Sequence, residues 1–311
     1  MSGFFWNVRG LNKSSKHSIV RKWLSQSSMQ FGCLLETRVN EGRSPNIISS
    51  IFKDWSILTN YESHRLGRIW VVWSANVRIT PVFKSSQMIT CSVLLEGKEE
   101  EFFCSFIYAS NFVEERKILW EDIRNHHDSP LFRNKPWMLC GDFNEILDGS
   151  EHSNYDTSPF TPLGMRDFQE VVRYSSLTDL GYHGPRFTWC NKRENGLICK
   201  KLDKVLVNDS WCITFPHSYS VFEAGGCSDH TRGRIMLEAA AIGGRRPFKF
   251  VNVLTSIPQK PSLRALGKEK LGDLPKRTRE AHELLCAKQT NTLANPSQQM
   301  IAEELHAYTA W

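Results

Sequence analysis

Several things are missing from this 311-residue chain, and each absence narrows what it can be. No apolar run approaches the ~18 residues that cross a bilayer, so no membrane segment is expected. Phe4-Phe5-Trp6 is too short for the apolar core of a secretory leader, and no basic stretch precedes it. The nine cysteines are an odd number without a CxxC pair, which suits neither a disulfide framework nor a zinc site. They read as reduced thiols of an intracellular protein, nuclear or cytoplasmic and not secreted. Neither a Rossmann glycine fingerprint nor a phosphate-binding P-loop occurs, and no internal repeat is visible. Large excess charge is also lacking over most of the chain. Residues 1–244 carry 28 Lys and Arg against 27 Asp and Glu, whereas residues 245–290 carry 11 against 4. The net charge of +6 therefore belongs to the tail, and it says little about whether the main part binds nucleic acid.

What is present supports a large core: 41% of residues are hydrophobic and ten are Trp. Phe4–Val8 and Phe31–Leu35 read as buried strands around a helix from Ser14 or Ser15 to Gln26, with Ile19, Val20, Trp23 and Leu24 on its apolar face. Five strand patterns follow between Trp55 and Tyr108 without intervening helices, which indicates antiparallel meanders. A helix over Glu114–His127 places Ile118, Leu119 and Ile123 at core spacing, and another over Pro162–Ser175 turns Met165, Phe168, Val171 and Val172 inward. Further strands are expected at Phe187–Cys190, Lys201–Val207, Tyr219–Phe222 and Arg232–Leu237. This order predicts an α/β fold, a four-layer α/β/β/α sandwich of two facing, mostly antiparallel sheets with helices outside. The domain is expected to occupy residues 1–240. Residues 241–311 follow as a basic linker and a partly helical tail broken at Pro275, expected to be dispensable for chemistry.

The chain is organised around Trp137-Met-Leu-Cys-Gly-Asp-Phe-Asn144. Gly141 lets the backbone turn where a buried strand ends. In extended geometry Asp142 and Asn144 would share a face while Phe143 packs on the other. Asn7, Glu36, Tyr108, Asp203, Asp229 and His230 also fall at or near strand ends. Singly, each has an ordinary structural role open to it: Asp203 a solvated strand residue, Tyr108 a core aromatic, Asp229 a helix cap. Eight such coincidences in order are much harder to explain that way.

In order, Trp6-Asn7-Val8, Leu35-Glu36-Thr37, Ile107-Tyr108, Gly141-Asp-Phe-Asn144, Leu202-Asp203-Lys204 and Ser228-Asp-His230 resemble the endonuclease/exonuclease/phosphatase superfamily. This is the fold of DNase I-like nucleases and apurinic endonucleases. Trp6-Asn-Val-Arg-Gly-Leu11, Phe187-Thr-Trp189 and Leu202-Asp-Lys-Val-Leu206 are most similar to endonuclease domains of plant LINE-type non-LTR retrotransposons. The tail resembles the linker that precedes reverse transcriptase there, and no reverse-transcriptase motif follows, so a detached, truncated or domesticated copy is expected. The resemblance implies a Mg²⁺-dependent DNA endonuclease, with Mn²⁺ a possible substitute, that nicks one strand to leave a 3′-hydroxyl. Glu36, Asn7 and Asp229 are the implied metal ligands. Asp142 and Asn144 would orient the attacking water, His230 held by Asp203 would stabilise the developing charge, and Tyr108 would contact the phosphate or leaving group. Asn111, in a Tyr-x-x-Asn spacing, and Trp189 are candidate contacts to DNA. Arg9 stands where many superfamily nucleases carry a second acidic residue, which favours one metal over two. A lipid or inositol phosphate phosphoesterase, or a folded but inactive relic, is the alternative.

Overall fold

The computed structural model describes residues 2–155, 162–193, 195–237 and 274–311. Two mixed sheets stack face to face. The first runs, in spatial order, β10 (Tyr182–His183), β14 (Tyr219–Glu223), β15 (Arg232–Met236), β1 (Ser2–Asn7), β2 (Phe31–Leu35), β4 (Ile69–Trp73) and β3 (Ser56–Thr59). The second runs β5 (Val77–Lys84), β6 (Met88–Leu95), β7 (Phe102–Tyr108), β8 (Trp137–Asp142), β13 (Asp203–Val207) and β9 (Thr178–Asp179). A two-stranded ribbon, β11 (Trp189–Cys190) with β12 (Cys199–Lys200), stands apart from both.

Alternation along the strands places Phe5, Phe31, Cys33 and Val71 of one sheet against Ile89, Phe102, Phe106 and Cys140 of the other, all buried. The opposite faces bury helices. Val20, Trp23 and Leu24 of α1 (Ser14–Gln26), together with α2 (Ser44–Ile51), cover Phe4, Trp6 and Trp70. On the second sheet, α3 (Val113–Asp128) and α4 (Leu163–Tyr174) cover Ile107, Leu139 and Phe143. The result is the four-layer sandwich. Of the three parallel pairs, β1 with β2 and β7 with β8 are bridged by α1 and α3 as crossover helices, and the third joins the short β10 to β14. Pro81 falls at a register shift on the edge strand β5, where its missing N–H costs no ladder bond.

The helix expectation fails in one detail. Ile118 is 62% exposed, and the buried stripe of α3 is Arg116, Leu119, Trp120, Ile123 and His126. Arg116 is drawn inward by Glu145, to which its guanidinium donates at 2.5 Å. Helix α2, the short strands β9, β10 and β12, and α5 (Asp209–Thr214) are not legible in the periodicity.

The expected boundary at residue 240 and most of the basic segment lie outside the described residues. The tail resumes as α6 (Leu274–Ala294) and α7 (Gln298–Ala310). Pro275 lies in the first turn of α6 rather than breaking it, where a proline's lack of an N–H is harmless.

Candidate active site

Strand direction gathers the chemistry at one end of both sheets. Parallel β1 and β2 finish together, Asn7 opposite Leu35, so Glu36 emerges beside Asn7. In the facing sheet, parallel β7 and β8 finish with Tyr108 opposite Asp142, and antiparallel β13 begins there with Asp203 opposite Asp142. Antiparallel β15 starts at the same end, so the loop just before it delivers Asp229 and His230. Gly141 permits the closure of β8 on β7: its φ is +140°, and a Cβ there would lie 2.0 Å from the Ile107 carbonyl oxygen.

The centre is a buried network. Asn7 donates from Nδ2 to Asp142 Oδ2 at 2.9 Å, and its Oδ1 accepts from the Arg9 backbone N–H at 3.0 Å, which fixes which way the amide points. The other carboxylate oxygen of Asp142 accepts from the Asn144 backbone N–H at 2.9 Å. His230 Nδ1 lies 2.9 Å from Asp203 Oδ2, while Nε2 lies 3.7 Å from Asp142 and 3.4 Å from Asn7 Nδ2. Burial alone would push the imidazole down. The carboxylates of Asp203 and Asp142 outweigh it and hold the pKa up at about 10. Burial raises the Asp142 carboxyl to about 6, with Asp203 adding to the shift and His230 opposing it. Burial, then the negative charges of Glu36 and Asp142, raise the Tyr108 phenol, so its proton stays in place at neutral pH.

Beside this network, Arg9 ion-pairs with Asp229, and its Nε lies 3.9 Å from Glu36. Arg38 ion-pairs with Glu36 from the other side. Arg9, Glu36 and Arg38 all have positive φ, at 45°, 53° and 53°, a conformation that side chains adopt only when surroundings hold them there. Trp189 donates its indole N–H to Asp229 Oδ2 at 2.9 Å.

Eight of the residues expected from sequence therefore converge: Asn7, Glu36, Tyr108, Asp142, Asp203, Trp189, Asp229 and His230. Asn144 borders them by a route the sequence does not suggest. Its φ is +48°, so the backbone is not extended between Asp142 and Asn144, and its Nδ2 is tied to the Ala109 carbonyl at 2.6 Å. Asn111, expected to contact DNA, stands at the surface. Ser110 and Arg116 fasten the backbone around it and leave its side chain exposed. Two further residues, Thr188 and Ser228, position the site from inside Phe187-Thr-Trp189 and Ser228-Asp-His230, motifs that give them no role by themselves. Thr188 Oγ1 accepts from the backbone N–H groups of Leu202 and Asp203, at 3.0 and 2.9 Å. Ser228 Oγ donates to the Asn7 carbonyl at 2.7 Å and accepts from the His230 N–H at 3.2 Å, stitching the loop to β1. Arg38 carries no sequence signal beyond following Glu36 by two.

Residues 4–230 match the endonuclease/exonuclease/phosphatase family. The chain belongs to that family. Solved structures agree on the fold. The endonuclease domain of TRAS1, a telomere-specific non-LTR retrotransposon, is 8% identical at a TM-score of 0.58, over 77% of this chain and 99% of that one. The AP endonuclease LMAP from Leishmania major is 13% identical at 0.57, over 76% and 87%. TDP2 from D. rerio, complexed with single-strand DNA product, is 13% identical at 0.54, over 76% and 97%. No curated protein matches the chain by sequence.

Members of the family hydrolyse phosphodiesters or phosphate esters, and two donor sets here bear on a metal. Among the described residues, the His and carboxylate group gathered within 4.8 Å is Asp142, Asp203 and His230. Within it only His230 Nδ1 and Asp203 Oδ2 bond to each other; Asp142 is held by Asn7 and the Asn144 N–H, and Asp203 Oδ1 is buried without a hydrogen-bond partner. A ring held cationic is a poor ligand because metals take the neutral imidazole. Glu36 and Asp229, by contrast, are hard oxygen donors turned toward one guanidinium, and Asp229 Oδ1 is buried without a hydrogen-bond partner. That set fits a divalent ion such as Mg²⁺. Asn7, the third expected ligand, spends its amide on Asp142 and Arg9.

Proposed function

We propose that this chain is a divalent-metal-dependent phosphodiesterase that nicks one strand of DNA and leaves a 3′-hydroxyl. The observation that best supports it is the buried Asn7–Asp142 and Asp203–His230 pairing at the shared end of the two sheets. Asp142 is the base. Two donors fix its carboxylate, and a pKa near 6 leaves it ionised at neutral pH yet able to accept a proton from water. As the water oxygen bonds to phosphorus and gives its proton to Asp142, the phosphorus–O3′ bond breaks and the departing O3′ takes up a proton from solvent. His230 is charged, so both ring nitrogens donate. Nδ1–H is held by Asp203. Nε2–H faces Asn7 Nδ2, a second donor, and stands beyond hydrogen-bond range of Asp142, so it is left for an incoming anionic oxygen. A preorganised donor of this kind stabilises the pentacovalent phosphorus where charge develops. Tyr108, which keeps its proton, donates to the phosphate or the leaving oxygen.

Glu36 and Asp229 would hold Mg²⁺ or Mn²⁺, which when bound neutralises phosphate charge and polarises the phosphorus centre. Asn7 is then an orienting residue for Asp142. Arg9 and Arg38, with side chains 43% and 53% exposed, flank the site and suit a polyanionic strand. Nucleases among the fold neighbours favour DNA, and Trp6-Asn-Val-Arg-Gly-Leu11 with Phe187-Thr-Trp189 favours descent from a non-LTR retroelement. Incubation of supercoiled plasmid with Mg²⁺, beside sphingomyelin and inositol phosphates, tests the assignment. Open-circular product sealed by DNA ligase is expected, because ligation needs a 3′-hydroxyl and a 5′-phosphate. Turnover of a lipid or inositol phosphate with intact plasmid would replace the DNA reading.

A further inference from the structure

The family match ends at residue 230, and α6 and α7 lie wholly beyond it. They are nevertheless docked on the site. Gln289, in the C-terminal third of α6 and 1% exposed, spans the loop that carries Asp229 and His230. Its Oε1 accepts from the Gly226 N–H at 2.9 Å and its Nε2 donates to the Ser228 carbonyl at 2.7 Å. Gly226 sits at φ +74°, and a Cβ there would lie 2.9 Å from His282 Nε2, two turns before Gln289 on the same face of α6. The loop and the helix are therefore fitted to each other.

The contact extends to the ribbon that carries Trp189. Leu293 and Ile301 bury against Phe187, Cys190 and Cys199, with Leu197 and Leu305 packed around them. The Phe187 N–H donates to the Leu293 carbonyl at 3.1 Å, and Lys192 Nζ lies 2.8 Å from Glu304, itself 2% exposed. Trp189 in turn donates to Asp229. One helical pair thus holds both segments that meet at Asp229 and His230.

We propose that the α6–α7 hairpin is a resident brace of the active site, with Gln289 as a positioning residue that fixes the Gly226–His230 loop through its two backbone bonds. The two bonds on Gln289 are made to backbone groups that no other described residue satisfies by side chain, so removing them loosens the Gly226–Ser228 end of the loop, while the Ser228 hydroxyl, Trp189 and Asp203 still tie the rest to the sandwich. The catalytic consequence rests on the roles given to Asp229 and His230 above; the mechanical consequence does not.

The experiment is amide hydrogen exchange on the full chain, with nicking kinetics alongside, for Gln289→Met, Gln289→Glu and Leu293→Asp. The Met variant keeps the shape and removes both bonds. Exchange over residues 225–230 should speed up about tenfold while β6 and β7 stay protected, and kcat should fall about tenfold with KM unchanged. The Glu variant keeps the acceptor for Gly226 but sets a buried oxygen against the Ser228 carbonyl, so exchange over residues 225–230 should speed up at least as much as in the Met variant. Leu293→Asp should unseat the hairpin and raise exchange over residues 187–200 as well. Wild-type exchange in Gln289→Met, or a loss shared equally by all strands, would overturn the proposal. If the wild-type chain cleaves no DNA, the functional reading fails while the exchange result still decides whether the brace exists.

Discussion

Replacing Asp203 by Asn keeps the shape of the site and removes one charge. The amide oxygen can still accept from His230 Nδ1–H across the 2.9 Å contact, so the ring should stay in place. What changes is its proton affinity. A carboxylate within ~4–6 Å favours the charged form by about 1–3 pKa units. The pKa of about 10 should therefore fall to about 7–9, with Asp142 at 3.7 Å retaining part of the shift and burial pulling the ring further down. At ~1.4 kcal/mol per unit, the imidazolium loses about 1.4–4 kcal/mol of preference. At pH 9 the ring would go from about nine-tenths protonated to between a hundredth and a half. The alkaline limb of the nicking rate should move to lower pH by the same amount. The imidazole Cε1–H resonance of the metal-free protein, followed by NMR, should titrate with it. Stability carries the same sign. A histidine raised from ~6.5 to about 10 stabilises the fold fully below ~6.5, and this is lost as pH rises through about 10. The gap in Tm between wild type and variant should be widest at low pH and close near pH 10. An unmoved resonance and an unmoved limb in a folded Asp203→Asn protein would refute the charge argument.

Other expectations follow from neighbouring contacts. His230→Ala should cost roughly 10²–10³ in kcat, the usual loss of one preorganised donor, measured in single-turnover nicking. Glu36→Ala should abolish Mg²⁺-dependent cleavage with an unchanged circular dichroism spectrum; equal nicking at limiting Mg²⁺ would remove Glu36 from the ligand set. Arg9→Ala leaves Glu36 and Asp229 without the cation they share, so calorimetry should find Mn²⁺ bound roughly tenfold tighter, ~1.4 kcal/mol. Gly141→Ala sets a Cβ 2.0 Å from the Ile107 carbonyl and should lower stability by about 3 kcal/mol or more in urea denaturation, an outcome a free turn would not give.

Much of this molecule is legible from its residues because strand ends announce themselves. Apolar runs closed by Asn7, Glu36, Tyr108 and Asp142 mark both where a strand stops and which groups stand at its mouth. The four layers follow from alternation and from three amphipathic helices. Pairwise geometry is not written in this way. That Arg9 reaches Asp229, or that Asn144 turns back on Ala109 instead of sharing a face with Asp142, depends on backbone conformations with positive φ that periodicity does not encode. Asn111 is held through its backbone by the buried Arg116, an anchor that the Tyr-x-x-Asn spacing does not announce. The tail reads as basic and separable because its apolar residues, such as Leu293 and Ile301, make no core among themselves and find one on the β11–β12 ribbon.

The placement of β1 between β2 and β15 has a consequence for how the molecule is made. Ser2 to Trp6 pair with Met236 back to Arg232, so the first strand of the sandwich in chain order waits for the last described one. Loops of this length make for high contact order and slow closure. At ~5–20 residues per second, the interval is on the order of ten seconds or more, during which the edge of β1 is unpaired and open to misassembly. Asn7 reaches His230 only after that wait. A chain interrupted before β15 would therefore carry most of the catalytic side chains and still hold no assembled site.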